Sequence, residues 1–235
     1  MRVELNINGL QNSAHFPDRD ITHLHLPLLA SLSQQQQQLQ RRMVVFLCAP
    51  PGTGKSTLAT FWQWISQQDT TLTPVQCLPM DGFHHYNHYL DAHQLRSKKG
   101  APETFDLPKL HQAIQRLQQT GATWPTYDRQ LHDPVEDAII VEAPIIVLEG
   151  NWLLLQQPGW QQLKALADYT IFINAAPELL RDRLIERKIR GGLSPQQAED
   201  FYLATDGPNV LKVLQCSQPA DYLLTMDSDM SYRRY

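Results

Sequence analysis

Met43-Val-Val-Phe-Leu-Cys48, running into Ala49-Pro-Pro-Gly-Thr-Gly-Lys-Ser56, is the stretch that decides the fold. A short unbroken apolar run bounded by a Pro/Gly turn predicts a strand buried on both faces. The segment after it matches GxxxxGK[ST], with Ala49 in place of the first glycine. That substitution asks only that position 49 need no positive φ. Gly52 and Gly54 allow backbone N–H groups to turn inward around phosphate oxygens, and a helix starting there adds a favourable dipole. Lys55 is expected at the β- and γ-phosphates, and the Ser56 hydroxyl on a magnesium ion. The expected cofactors are ATP and Mg²⁺. The nucleotide-binding set is Ala49, Pro50, Pro51, Gly52, Thr53, Gly54, Lys55, Ser56 and Thr57, with Arg183 added from a later helix. A glycine turn with no ligand would not need strand, loop, Lys-Ser and helix in that order.

Outward from this stretch, apolar runs recur at Val75 to Leu78, Ile145 to Leu148 and Tyr169 to Ile173, with a weaker one at Tyr222 to Thr225. Helical stretches alternate with them: Ser56 to Ser66, Leu107 to Gln118, Pro177 to Arg190 and Pro195 to Ala204. The alternation predicts an α/β fold of the P-loop NTPase kind, a parallel sheet flanked by helices, with ligands beyond the C-terminal strand ends. Residues 1–41 read as a small N-terminal β-hairpin/helix appendage. Val3, Leu5 and Ile7 alternate with polar residues, Asn8-Gly9 offers a two-residue turn, and Leu10 to Phe16 can return. Leu24 to Leu39 is helical in pattern, and the Gln34 to Gln38 run reads as a solvated face. The remainder, 42–235, is then one catalytic domain, with an acceptor insert at about 82–135 and a lid at about 181–195.

Composition narrows the function. A net charge of −4 and a pI near 6.1 argue against a general nucleic-acid binder, which needs an excess of Lys and Arg. Cys48, Cys77 and Cys216 are scattered, with neither metal-ligand spacing nor a disulfide framework. The expected location is cytoplasmic, with no membrane partner, because no apolar run is long enough to cross a bilayer and the N-terminus lacks a signal-peptide block. The expected partner is a small-molecule acceptor, and a homodimer stays open.

Asp81 and Glu149 each follow a predicted strand. If both strands run parallel to the first, both carboxylates reach the sheet edge that carries Lys55. Phosphoryl transfer needs a metal ligand and a group that orients the acceptor hydroxyl, and two carboxylates there can supply both. Arg183, Arg187 and Arg190 share a helix face followed by Gly191-Gly192, a pattern suited to clamping phosphates from a lid. A solvated helix pairing with Asp182 and Glu186 is the plainer reading, and it suits Arg181. The insert Gly82-Phe-His-His-Tyr-Asn-His-Tyr89 is rich in rings with hydrogen-bonding tips, which suits an acceptor pocket better than a zinc site. Lys98 to Asp106 and Trp124 to His132 read as loops.

These motifs in this order resemble the uridine kinase, pantothenate kinase and phosphoribulokinase group of P-loop kinases. The resemblance rests on the phosphate loop, Met80-Asp-Gly-Phe-His84, Lys99-Gly-Ala-Pro-Glu-Thr-Phe-Asp106, Pro125-Thr-Tyr-Asp128, Leu148-Glu-Gly150 and Arg183…Arg187…Arg190, from about Met43 onward. The nearest likeness is to a bacterial nucleoside- or pantothenate-kinase-like branch, some of whose members are described as fructose kinases. The resemblance implies transfer of the γ-phosphoryl of ATP to an alcohol. It implies catalytic roles for Asp81, Lys55, Arg187 and Arg190, metal ligation by Ser56 and Glu149, and acceptor contacts from Phe83, His84, Phe105, Tyr127 and His132. His84 stands where uridine kinases carry Tyr, and Asp133-Pro134 replaces the basic residue expected after His132. The acceptor is therefore open among nucleoside, pantothenate-like and sugar. The rival readings are a nucleotide hydrolase or switch without an acceptor, and a binding protein without chemistry. The ring-rich insert disfavours the first, and the presence of Lys55, Asp81 and Glu149 disfavours the second.

Overall fold

The computed structural model describes residues 1–7 and 9–235. Its strands are β1 (Arg2–Ile7), β2 (Leu10–His15), β3 (Met43–Cys48), β4 (Val75–Pro79), β5 (Thr123–Asp128), β6 (Asp133–Ile140), β7 (Ile145–Gly150), β8 (Tyr169–Asn174), β9 (Tyr222–Met226) and β10 (Tyr232–Arg234). The central sheet has the order β10-β9-β8-β3-β7-β4. Only β10 runs antiparallel to its neighbour. All of β3 is buried, as its unbroken apolar run requires. From β3 the chain passes to the edge strand β4, fills the gap with β7, and then crosses to β8 on the other side of β3. The crevice created by that reversal lies at the C-terminal end of β3, where the phosphate loop begins.

Helices cover both faces. One side of the sheet packs on the phosphate-loop helix Lys55–Gln68 through Leu58, Phe61, Trp62 and Ile65. Val3, Leu5, Phe16 and Leu28 of the N-terminal hairpin and helix join that same apolar cluster. The other side buries Phe83, Trp124, Trp152 and Leu110 under helix Leu107–Arg116. Each such side chain contributes roughly 1.5–3 kcal/mol on leaving water. Among the described residues no helix is long and apolar enough to cross a membrane.

The N-terminal strands pair as a hairpin, and three other expectations are corrected. The N-terminal hairpin pairs Ile7 with Leu10, and Gly9 has φ +81°, whereas Asn8, the other half of the expected turn, lies outside the described residues. The helix after it starts at Asp18 rather than near Leu24, includes a π-turn at Ile21–His25, and ends at Gln40 in the left-handed region. Trp124 to His132 is not a loop but most of an antiparallel hairpin, β5 with β6, bulged between Trp124 and Thr126. Pro125 interrupts the strand signal, and β6 is mostly exposed, so it has no apolar face to alternate with. The helix predicted to stop near Ala204 continues instead. Pro195–Phe201 passes through a π-turn at Tyr202–Asp206 into Gly207–Cys216. Gly207-Pro208 reads as a stop, but the π-turn accommodates the N–H that Pro208 lacks.

Candidate active site

The phosphate loop is held from outside by bonds to its carbonyls. Thr53 Oγ1 donates to the Pro50 carbonyl at 2.9 Å, Arg183 Nε to Gly52 at 2.8 Å, and the Tyr232 hydroxyl to Thr53 at 2.7 Å. Gly52 and Gly54 have φ of +89° and +78°. A Cβ at Gly54 would sit 2.8 Å from the Tyr232 oxygen, so the residue answers both a backbone and a packing demand. None of the N–H groups of residues 52–56 donates to a protein acceptor among the described residues. With their carbonyls tied outward, these donors and the helix start form a cradle for an anion. Ala49, Pro50 and Pro51 are buried at its root, and Thr57 lies in the first helical turn.

Strand register brings the acidic groups to this cradle. Glu149 pairs with Leu47 of β3 on one side and Pro79 of β4 on the other. It is only 3% exposed, accepts a 2.7 Å hydrogen bond from Ser56 Oγ, and has Lys55 Nζ 3.9 Å away. Burial pushes its carboxyl above the usual range, and the Lys55 charge opposes that push. Hydroxyl and carboxylate together make an all-oxygen donor pair that suits Mg²⁺. Asp81 lies two residues past Pro79, in the short 3-10 turn Met80–Phe83, and its charge is felt at Glu149 and Arg187.

Beside Asp81 lies a cluster of rings, the candidate acceptor pocket. His84 Nδ1 lies 2.8 Å from the Asp81 carbonyl oxygen. A carbonyl can only accept, so Nδ1 carries a proton. Burial lowers the pKa of the ring and keeps it neutral near pH 7, leaving Nε2 as an acceptor. The His84 ring lies 3.9 Å from Phe105 and 5.2 Å from Tyr127. Burial pushes the Tyr127 phenol up to about 12, so it stays a donor. Phe83 does not line this pocket: its ring is in the core, 4.7 Å from Trp124. His132 sits exposed at the β5–β6 turn and reaches the pocket through its carbonyl, which accepts from Lys99 Nζ at 2.6 Å. His85 and His88 stack on Tyr89 and Tyr86, outside the pocket.

The arginines separate. Arg183 braces the loop. Arg187 feels the charges of Asp206 and Asp81, with Arg129 and Arg183 nearby, and neighbouring protein depresses its pKa by desolvation although the residue as a whole is exposed. Arg190 is not brought to the loop: it is 72% exposed, with Nε 3.9 Å from Glu186. Two basic residues given no role by the sequence reading join the site. Arg129, just past β5, has a charge that lowers the Glu149 pKa. Lys99 Nζ donates to Asn87 Oδ1 at 2.7 Å and lies 4.8 Å from the Tyr127 ring centre. Lys99 opens a stretch already conspicuous in the sequence, whereas Arg129 depends on the unrecognised hairpin. Tyr232 had no sequence signal, since its role depends on β10.

Comparison with known proteins gives an independent view. The model of the phosphoribulokinase / uridine kinase family matches residues 44–196. The Escherichia coli K12 uncharacterized protein YggC is 54% identical over 99% of this chain and 98% of its own length. A Schizosaccharomyces pombe protein described as a candidate uridine kinase is 30% identical, over 68% of this chain and 72% of that one. A solved structure from Silicibacter sp. TM1040, described as a candidate fructose transport system kinase, superposes with a TM-score of 0.75 at 32% identity, covering 85% of this chain and 98% of that one.

Proposed function

The chain belongs to the phosphoribulokinase / uridine kinase family, and from that premise we propose that it transfers the γ-phosphoryl of ATP to a hydroxyl of a small metabolite. The observation that carries the reading is the pair of carboxylates at the C-terminal ends of adjacent parallel strands, Glu149 on the Lys55–Ser56 side and Asp81 beside the ring cluster. The free N–H groups of the loop bind the phosphates, and Lys55 neutralises charge at their distal end. Ser56 and Glu149 would hold Mg²⁺, which supplies charge neutralisation on the phosphate oxygens. Asp81 accepts a hydrogen bond from the acceptor hydroxyl, orients its oxygen in line with the γ-phosphorus, and takes the proton as transfer proceeds. Arg187 meets the negative charge that shifts during transfer. His84 Nε2 accepts a further substrate donor, and the Phe105 and Tyr127 rings exclude water from one side.

The test is ADP release with MgATP across a panel of nucleosides, pantothenate, sugars and glycerate. One acceptor should raise the rate far above that of ATP alone. Lys55→Ala should abolish that rate or weaken ATP binding. ATP cleavage that no acceptor stimulates, or a Lys55→Ala protein with unchanged calorimetric affinity and rate, would overturn the reading.

A further inference from the structure

The last helix carries apolar residues on two faces, and the protein covers only one of them. Pro195–Phe201, the π-turn Tyr202–Asp206 and Gly207–Cys216 run on as one helix. At 1.5 Å per residue it is about 33 Å long. Ala198, Val210 and Val213 are buried against the core. Leu203, Ala204, Pro208 and Leu211 recur about one helical turn apart, and all are exposed, Leu203 at 63% and Leu211 at 46%. A single outward leucine needs no explanation, but a helix apolar on both faces has the pattern of one that is covered on both.

Between the two leucines lies a groove of about 560 Å³, lined also by Tyr202, Gly207, Pro208 and Lys212. Gly207 is the buried member of that lining. A Cβ there would lie 3.1 Å from the Tyr202 ring, so the missing side chain is what lets the ring rest against the helix. The ring is backed in turn by the Arg181 guanidinium, 5.9 Å from its centre, which donates to both Glu199 oxygens at 2.6 and 2.7 Å. The groove wall is therefore fixed before anything docks, which lowers the entropy lost on association.

Charges of opposite sign flank the apolar stretch. Asp200, one turn before Leu203 and Ala204, is exposed and accepts a 2.9 Å hydrogen bond from the Gln196 amide. Lys212, beside Leu211, has no carboxylate within 4 Å among the described residues. Along the helix the order is acid, Leu203, Gly207-Pro208, Leu211, base, and that order complements itself when reversed. Two such helices laid antiparallel about a two-fold axis at Gly207-Pro208 bring Leu203 of one onto Leu211 of the other and Asp200 within reach of Lys212. Their dipoles then oppose favourably. A parallel pairing would set Asp200 beside Asp200 and Lys212 beside Lys212.

We infer that this helix face is a self-association surface whose partner is a second copy of this chain, docked antiparallel. The inference goes beyond the kinase reading and does not depend on it. A face about 33 Å long and about 10 Å wide falls short of the roughly 800 Å² that a standard interface takes from each partner. The dimer is accordingly weak and reversible, with a dissociation constant of roughly 10–100 µM.

Sedimentation equilibrium of the full chain, from about 2 to 400 µM, spans that range. The average mass should climb from 26.9 kDa towards twice that value. Leu203→Asp and, separately, Leu211→Asp put a carboxylate into the apolar centre and should raise the dissociation constant at least tenfold. Both positions are exposed, so urea midpoints should stay at the wild-type value, and two separate variants guard against a folding defect peculiar to one. Asp200→Lys alone, or Lys212→Asp alone, sets like charges together and should weaken the dimer about fivefold, while the double exchange should restore it to about the wild-type value. A chain that stays monomeric at the highest concentration overturns the inference. So does a dimer indifferent to both leucine variants, which would use another surface. Single charge variants that weaken the dimer without rescue by the double exchange would overturn the antiparallel arrangement.

Discussion

Asp81 and Glu149 illustrate how much one residue's surroundings decide its job. Glu149 is enclosed, bonded to Ser56 and close to Lys55, which is why the proposal gives it to the nucleotide. Asp81 is half-buried, next to His84, which is why the proposal gives it to the acceptor. Asp81→Asn preserves size and one acceptor oxygen but removes the base. It should bind MgATP almost normally in calorimetry and lose acceptor phosphorylation by roughly 100-fold or more, with less effect on background ATP hydrolysis. A variant working at the wild-type rate would transfer the base role to Glu149. The sequence alone showed both carboxylates, because each follows an apolar run whose strand character is unmistakable. It could not show that Phe83 turns into the core while His84 turns out, since both rings occupy one irregular turn with no periodicity to separate them. Nor could it show that the chain stays helical past Ala204, because the Gly207-Pro208 pair lies where a helix is expected to end.

Among the elements, the lid helix Pro177–Arg190 has the limits its Pro and Gly-Gly flanks predict, yet its face is divided along its length. Arg183 bonds to the loop, Arg187 lies within reach of the Asp81 charge, and Arg190 lies out in solvent. Arg187→Ala should therefore lower kcat with a smaller change in ATP affinity, and should do so more than Arg190→Ala; equal losses would mean that the helix end moves inward during turnover. The N-terminal helix offers a second test. Trp62 Nε1 donates to His25 Nδ1 at 3.2 Å, so Nε2 carries the proton, and it finds no acceptor. Phe16, Phe61, Trp62 and Tyr232 surround the ring without offering a counter-charge. Burial lowers its pKa to about 4. The unfolded chain takes up this proton near pH 6.5 and the folded chain resists until about 4, so stability is intact above 6.5 and falls as pH drops through that window. The loss should reach about 3 kcal/mol. Urea midpoints at pH 7.5 and 4.5 should diverge less in His25→Gln, and identical slopes would clear His25 of the effect. The β5–β6 hairpin was the element least legible in advance, because a mostly exposed strand interrupted by proline carries no alternation. The sheet was the most legible, because strands buried on both faces show as unbroken apolar runs.

On the scale of the whole molecule, distant parts of the chain meet behind the phosphate loop. Tyr232 reaches from β10 to the Thr53 carbonyl and packs near His25 of the N-terminal helix, while Asp20 Oδ2 lies 3.4 Å from its backbone N–H. Tyr232→Phe keeps the ring and removes the buried hydrogen bond. It should cost about 1 kcal/mol in urea melts and raise the ATP KM several-fold through a looser loop; an unchanged KM would make the bond structural alone. The loop and its clamp are 179 positions apart in the chain. A ribosome adding about 5–20 residues per second needs roughly 10–35 s to cover that interval. During synthesis the nascent chain therefore carries its glycine loop, and even the sheet strand before it, well before the tyrosine that fixes the loop's shape has been made. Nucleotide cannot act as an early folding template for such a chain; its grip arrives with the last strand, as a late seal on a domain already assembled.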